Sequence, residues 1–298
     1  MKKKIKSNTL FRINTILKGL SAKEPETRKY KYSYSEYTEA GQLSMDIRYN
    51  EDGEVEEKYM NKYDSDGRLL EEITYLGEHD VAEHKTYERN EEGLITCSYK
   101  HYQDGEKDTI HYTRDSAGNL IEKITIDSFN EEEAREVIEY ENNKVTNRKV
   151  IEYDELMLEE SYSYDDEGHL VSHSKWSIEY EDFRFLNEFD TKGNLIKALR
   201  HNLKGDLVSK VVYTYNGDKL TRIQDESQRG ETTTTLTYDE NDNPVEQVEL
   251  NKQGEINNRA IRKYNPNGDV IESEVFINHQ GKTANQHYVL QYEYTYYD

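Results

Sequence analysis

His169 and His173 stand four residues apart. On a strand that spacing puts both side chains on one face but about 13 Å apart along it, too far to share one metal ion unless the strand bends. His79 and His84 flank a turn signal and are the other histidine pair that could hold zinc. Asp239-Glu240-Asn241-Asp242-Asn243 is the best candidate for Ca²⁺. A calcium loop of the EF-hand type needs Gly at its sixth position and Glu at its twelfth, and a loop starting at Asp239 has Pro244 and Leu250 there. Turn chemistry accounts for these Asp and Asn residues without an ion. Cys97 is the single cysteine, so neither a disulfide within the chain nor a CxxC metal site can form, and it reads as a buried, inert thiol. The nucleophile-elbow, HExxH and phosphate-loop motifs are absent. No catalytic residue, no metal and no cofactor are expected, and the chain reads as non-enzymatic. Trp176 is the only Trp; it has the chemistry of a sugar-stacking platform but reads first as a core or rim aromatic.

The elements that must carry these residues follow from composition and period. The 298 residues include 39 Lys and Arg against 61 Asp and Glu, a formal net charge of −22. That balance argues against non-specific nucleic-acid binding, which needs a basic face. No apolar run of about 18 residues exists, so no membrane-spanning helix is expected. Only 34% of residues are hydrophobic, and 26 residues are Tyr. High charge and low hydrophobicity would suggest disorder, but a strict internal period argues for a fold. Ile95, Leu120, Val145, Leu170, Leu195, Leu220, Val245 and Val270 recur every 25 residues, each after an Asp/Asn/Gly cluster. Units around Gly53 and Gly67 carry the same signature in looser register, and a second set of turn residues lies half a period away.

The stretches between turns read as strands. Val211, Tyr213 and Tyr215 share one face, and Thr232 to Tyr238 is strongly β-favouring. Turn signals every 12 or 13 residues suit short antiparallel strands. Five units read aromatic-Asx-x-x-Gly, among them Tyr63-Asp64-Ser65-Asp66-Gly67 and Tyr164-Asp165-Asp166-Glu167-Gly168. Asx at the first position and Gly at the fourth is the type I turn preference. Asn216-Gly217 predicts a tighter type I′ hairpin, and Asn142-Asn143 another.

Tyr63-Asp64-Ser65-Asp66-Gly67-Arg68-Leu69-Leu70, with Tyr164 to Val171 and Phe189 to Ile196, resembles the YD repeat of the Rhs family. The resemblance covers roughly residues 45–298 and departs from the family in its steady 25-residue unit. It implies a hairpin array and a place in bacterial polymorphic-toxin systems, where such proteins encapsulate toxins or act at cell surfaces.

About 20 strands are expected, in an all-β, elongated, curved or spiral antiparallel meander of repeated hairpins. Tyr suits a thin layer, because its ring buries area while its hydroxyl stays wet. Residues 1–28 form a separate basic segment of net charge +6, against a repeat domain over 29–298. Leu10, Ile13, Ile16, Leu17 and Leu20 follow helical spacing and predict a short helix, first as a cap on the first strand, otherwise as a membrane-surface helix or a docking peptide for another protein. The stretch Tyr288 to Tyr297 reads as an uncapped edge, open to a partner or to edge-to-edge oligomers.

The functional expectation is a non-catalytic scaffold for a basic protein partner: an immunity, adaptor or delivery component of a toxin system, cytoplasmic or exported without a signal peptide. The alternative is a cell-surface or secreted carbohydrate-binding protein. The binding face is expected at Tyr162, Tyr164, Trp176, Tyr213, Tyr215, Tyr238 and Tyr264.

Overall fold

Each stretch between two turn signals is a β-strand. The structure, a computed structural model, describes residues 3–16, 26–278 and 285–298. The described residues form 22 strands in one antiparallel sheet and no helix. By contact density the chain divides into two units, Met1–His84 with Thr234–Asp298, and Lys85–Thr233.

The first unit holds β1 (Ile5–Ile16), β2 (Glu26–Tyr37), β3 (Leu43–Tyr49), β4 (Val55–Tyr63) and β5 (Leu69–Leu76). It also holds β19 (Pro244–Asn251), β20 (Ile256–Tyr264), β21 (Val270–Ile277) and β22 (Gln286–Tyr296). Consecutive strands pair antiparallel, and β1 pairs with β22 as well as with β2. Thr9, for example, lies between Tyr34 and Glu293.

This arrangement corrects two expectations. The sheet is closed, not an open or spiral meander, because its first and last strands are hydrogen-bonded to each other. The N-terminal helix is also absent: Ile5–Ile16 is a strand. Ile5, Thr9, Phe11, Ile13 and Thr15 are β-favouring types. Two flanking strands supply more hydrogen bonds than the helical spacing of Leu10, Ile13 and Ile16 can recover alone. Leu17 and Leu20 of that expected helix, and Gln280 and Gly281 among the turn residues expected half a period from the main set, lie outside the described residues. The boundary drawn at residue 28 falls within β2. β22 has a neighbour on each side, β21 and β1, so the C-terminal stretch is not a free edge.

The second unit holds β7 (Ile95–His101), β8 (Lys107–Arg114), β9 (Leu120–Ile126), β10 (Glu132–Glu141), β11 (Lys144–Glu152) and β12 (Glu155–Tyr164). It continues through β13 (Leu170–Ser177), β14 (Phe183–Phe189), β15 (Leu195–His201), β16 (Leu207–Asn216) and β17 (Lys219–Ser227). These strands pair in sequence order, each antiparallel to the next. β6 (Asp80–Arg89) and β18 (Gly230–Tyr238) contain the boundaries between the units.

The turns follow the expected chemistry. In the Asp64 turn, Oδ1 accepts the backbone N–H groups of Asp66 and Arg68 at 2.9 and 2.8 Å, and Gly67 has φ +78°. This is a type I turn closed by a left-handed glycine, the three-residue hairpin loop. Asn142 and Asn143 both have positive φ, as a type I′ turn requires. The other tight turn differs: Asn216 pairs with Lys219, so the central residues are Gly217 and Asp218, and Gly217 alone has positive φ, the II′ pattern. The repeat register is also tighter than it reads. Gly53 belongs to the half-period set of turns, and the missing member of the main set is Gly41, 26 residues before Gly67. Thr38 replaces the usual Asx there, its Oγ1 accepting from Gln42 N at 3.2 Å, which hides the turn from a search for Asp and Asn.

The core is thin. Cys97 and Ile138 are the buried hydrophobic residues among those described, and no described side chain is fully buried. Half-buried Tyr, Thr and aliphatic side chains carry the packing in one layer, as the composition implies.

Candidate functional site

Two devices built from the repeat hold the hairpins in place. The first is a tyrosine lock. Tyr63, Tyr140, Tyr215 and Tyr264 each donate their hydroxyl to the backbone carbonyl of the residue 20 positions earlier, Leu43, Leu120, Leu195 and Pro244, at 2.7, 3.0, 3.0 and 2.9 Å. Each lock ties one hairpin to its predecessor beside a turn. The second is an amide lock within the turn: Asn119, Asn194 and Asn243 donate Nδ2 to the Oδ2 of Asp115, Asp190 and Asp239, at 2.9–3.0 Å. His169 takes the same place at Asp165, donating from Nδ1 at 3.0 Å while its backbone N–H reaches Oδ1 at 2.8 Å. Burial pushes the Asp165 carboxyl up, but these donations from His169 hold it below the ordinary value.

The second unit carries a charged ladder across one face of the sheet. Lys123 on β9 donates to Glu136 on β10 at 2.6 Å, and Arg148 on β11 bridges Glu136 at 2.6 Å and Glu160 on β12 at 2.8 Å. Glu160 also accepts from His173 on β13 at 3.1 Å. Tyr162 stacks on His173 with ring centroids 4.6 Å apart, Phe183 meets the same imidazole edge-on at 5.3 Å, and Arg200 lies over Phe183 at 5.6 Å. Seven neighbouring strands thus share one line of contacts. Glu160 is 8% exposed. Burial pushes the carboxyls of Glu136 and Glu160 up, and their partners, Lys123 and Arg148 for Glu136 and Arg148, Tyr162 and His173 for Glu160, outweigh it and hold both below the ordinary range. Sequence reading missed this ladder. Its signal was the recurrence of complementary charges at steps of 12 or 13 residues, half of the repeat.

The expected tyrosines are distributed along this framework. Strand alternation and pairing put Tyr162, Tyr164, Tyr213 and Tyr215 on the ladder's face of the second unit. Four strand spacings, about 20 Å, separate β12 from β16, so they form two groups rather than one. Lys144 lies over the Tyr164 ring at 5.1 Å. Burial pushes the Tyr213 hydroxyl up, and Tyr162 is pushed up to about 12 by burial and by Glu160. Trp176 pairs with Glu159, which puts it on the opposite face from Tyr162. Tyr238 and Tyr264 belong to the first unit, Tyr264 as a lock.

The other candidates resolve into structural roles. Asp165, Glu167 and His169 bring donor atoms within 4.8 Å of one another, but the turn lock already engages Asp165 and His169. His169 and His173 serve the lock and the ladder separately, in keeping with their spacing. His84 bonds Glu71 at 2.8 Å, while His79 is exposed beside Glu78. Asp239 Oδ1 accepts the N–H groups of Asn241 and Asn243, an Asx turn. Cys97 is buried. No helix among the described residues is long and apolar enough to cross a membrane, which says nothing of strands.

No family model and no curated protein matches the chain. Among solved structures it is similar to a porin-like protein from Bacteroides uniformis ATCC 8492, at 10% identity and TM-score 0.36, with 98% of each chain covered. It is also similar to TcdB2-TccC3-Cdc42, at 11% identity and TM-score 0.24, and to TcdB2-TccC3, at 12% and 0.23. The alignments cover 95% and 97% of this chain but only 23% and 24% of those chains. Likenesses at these scores do not carry a shared function.

Proposed function

We propose that the chain is a non-catalytic scaffold that binds a basic protein. The observation that supports this reading is the excess of acidic over basic residues, a net charge of −22, displayed on hairpins that repeat every 25 residues. Two strand spacings bring an equivalent position about every 10 Å. The screening length at physiological salt is about 8 Å, so a partner feels this charge chiefly on contact, through several carboxylates at once. The side chains best suited to catalysis are engaged in the lock and the ladder, which supports a binding role over an enzymatic one. The YD-like turns favour a partner from a bacterial polymorphic-toxin system, with this chain as immunity, adaptor or delivery component.

The test is a pull-down from host extract with the tagged full chain at low and high salt. A stoichiometric basic protein retained only at low salt is the expected result. Absence of a protein partner at either salt overturns the proposal.

A further inference from the structure

In the second unit every strand runs antiparallel to its neighbours, so the turns after odd-numbered strands gather at one end and those after even-numbered strands at the other. The even-turn end is polar: residues 90–94, 115–119, 142–143, 165–169, 190–194 and 217–218 carry no exposed large apolar side chain. The odd-turn end is different. Five successive connections there present Tyr102, Phe129, Tyr153, Ile178 with Tyr180, and Leu203, all exposed. Phe129, Tyr153 and Tyr180 are 77, 71 and 64% exposed. Successive tips lie two strands apart, about 10 Å, so they stand in a row, a fringe along that end. A row of this kind is the mark of an interaction surface.

Tyr153 carries a second signal. It occupies the first central position of a tight turn with φ +48°, and Asp154 follows at +66°. That conformation favours Asn or Gly and disfavours an aromatic. The Tyr153 side chain gains little burial in return. A strained, exposed aromatic points to selection for contact outside the chain.

The charge around the fringe identifies its occupant. Residues 102–106, 127–131, 153–154, 178–182 and 202–206 hold nine acids, among them Asp104, Asp127, Asp154 and Glu179, against one base, Lys204; Glu181 is already paired with Arg200 at 2.8 Å, and Arg229 stands in the next connection, after β17. An anionic lipid surface would be repelled. A second copy of this chain would bring the same negative fringe. We infer that the odd-turn end of the second unit docks a protein segment that combines Lys or Arg with apolar side chains, the apolar groups seated between the exposed tips and the cations on the flanking carboxylates. This rests on the scaffold reading above and gives it a location.

The probes are two peptides of equal length and charge, one of Lys and Leu and one of Lys and Ser, titrated at low salt against the full chain. The variants are Phe129→Ser/Tyr153→Asn/Tyr180→Ser, and Asp166→Asn/Glu167→Gln at the even-turn end. The Lys/Leu peptide is expected to bind about tenfold more tightly than the Lys/Ser peptide. The fringe variant is expected to lose that difference, and the even-turn variant to keep it. Circular dichroism and melting check that each variant is folded. If neither peptide binds, the charge-based scaffold reading itself fails. If the wild type prefers Lys/Leu and the folded fringe variant does so equally, the scaffold stands and the location is wrong. Fringe-dependent binding to phosphatidylcholine vesicles, or fringe-dependent self-association in sedimentation, would replace the basic partner with lipid or a second copy.

Discussion

The tyrosine hydroxyls of Tyr63, Tyr140, Tyr215 and Tyr264 each close a hydrogen bond to a carbonyl of the preceding hairpin. A buried carbonyl without a partner is costly, so Tyr at this place is worth more than Phe although the ring is the same size. The ladder acts differently. Glu136 holds both Lys123 and Arg148, and its folded-state carboxyl lies below the ordinary value of 4.5. A depressed carboxyl stabilises the fold above its unfolded pKa, and that contribution is lost as pH falls through the lower folded value. Glu136→Gln is therefore expected to cost roughly 1–3 kcal/mol at neutral pH, between an exposed and a buried pair. The gap between variant and wild type should narrow as pH falls below 4.5. Urea denaturation across that range checks it; a gap constant with pH would mean that the ladder does not set the stability.

At the scale of elements, the hairpin turn is the interchangeable part. The same loop accepts Asn at the locking position in three repeats and His169 in a fourth, because either can donate to the Asx carboxylate. His169 stacks on Phe189 at 4.7 Å and reaches the next turn, where a Cβ on Gly193 would stand 2.8 Å from its Nε2. Gly193 also has φ +83°. Gly193→Ala should therefore cost on the order of 1–2 kcal/mol from the backbone alone, with further loss from displacing the imidazole. A melting temperature unchanged from wild type would count against this packing. The odd-turn connections obey a different constraint. Tyr153 accepts an unfavourable backbone, so Tyr153→Asn is expected to stabilise the fold even as it removes part of the fringe.

For the whole molecule, the decisive contact is between the chain's two ends. Strand edges invite pairing with other chains, and joining β1 to β22 removes the edge at each terminus. Thr9 sits in the middle of β1 with a strand on either side. Thr9→Pro deletes a ladder bond and leaves the facing carbonyl unpaired, so it should destabilise the first unit by roughly 1–3 kcal/mol. It should also produce concentration-dependent aggregation as β2 and β22 become available. Native-like stability and a monodisperse solution would contradict the pairing.

The repeat, the strands after the first and the Asx-Gly turns were legible in the sequence, because these are local properties. Asp64 and Gly67 make their turn with groups at most four residues away, and alternation needs only a neighbour two positions along. Tyrosine could be seen to recur, but the acceptor of its hydroxyl lay 20 residues upstream. That distance means something only once the strands are laid side by side. The same holds for Lys123, Glu136, Arg148, Glu160 and His173, which look like scattered charges until pairing stacks them in one row. The face of Trp176, opposite Tyr162, and the separation of polar from apolar hairpin tips likewise depend on register and strand direction. Closure was beyond local reading altogether. Residues 5–16 contain a helical spacing and a β-favouring composition at once, and only the presence of β2 and β22 on either side decides between them, because a strand's hydrogen bonds belong to its neighbours while a helix's belong to itself.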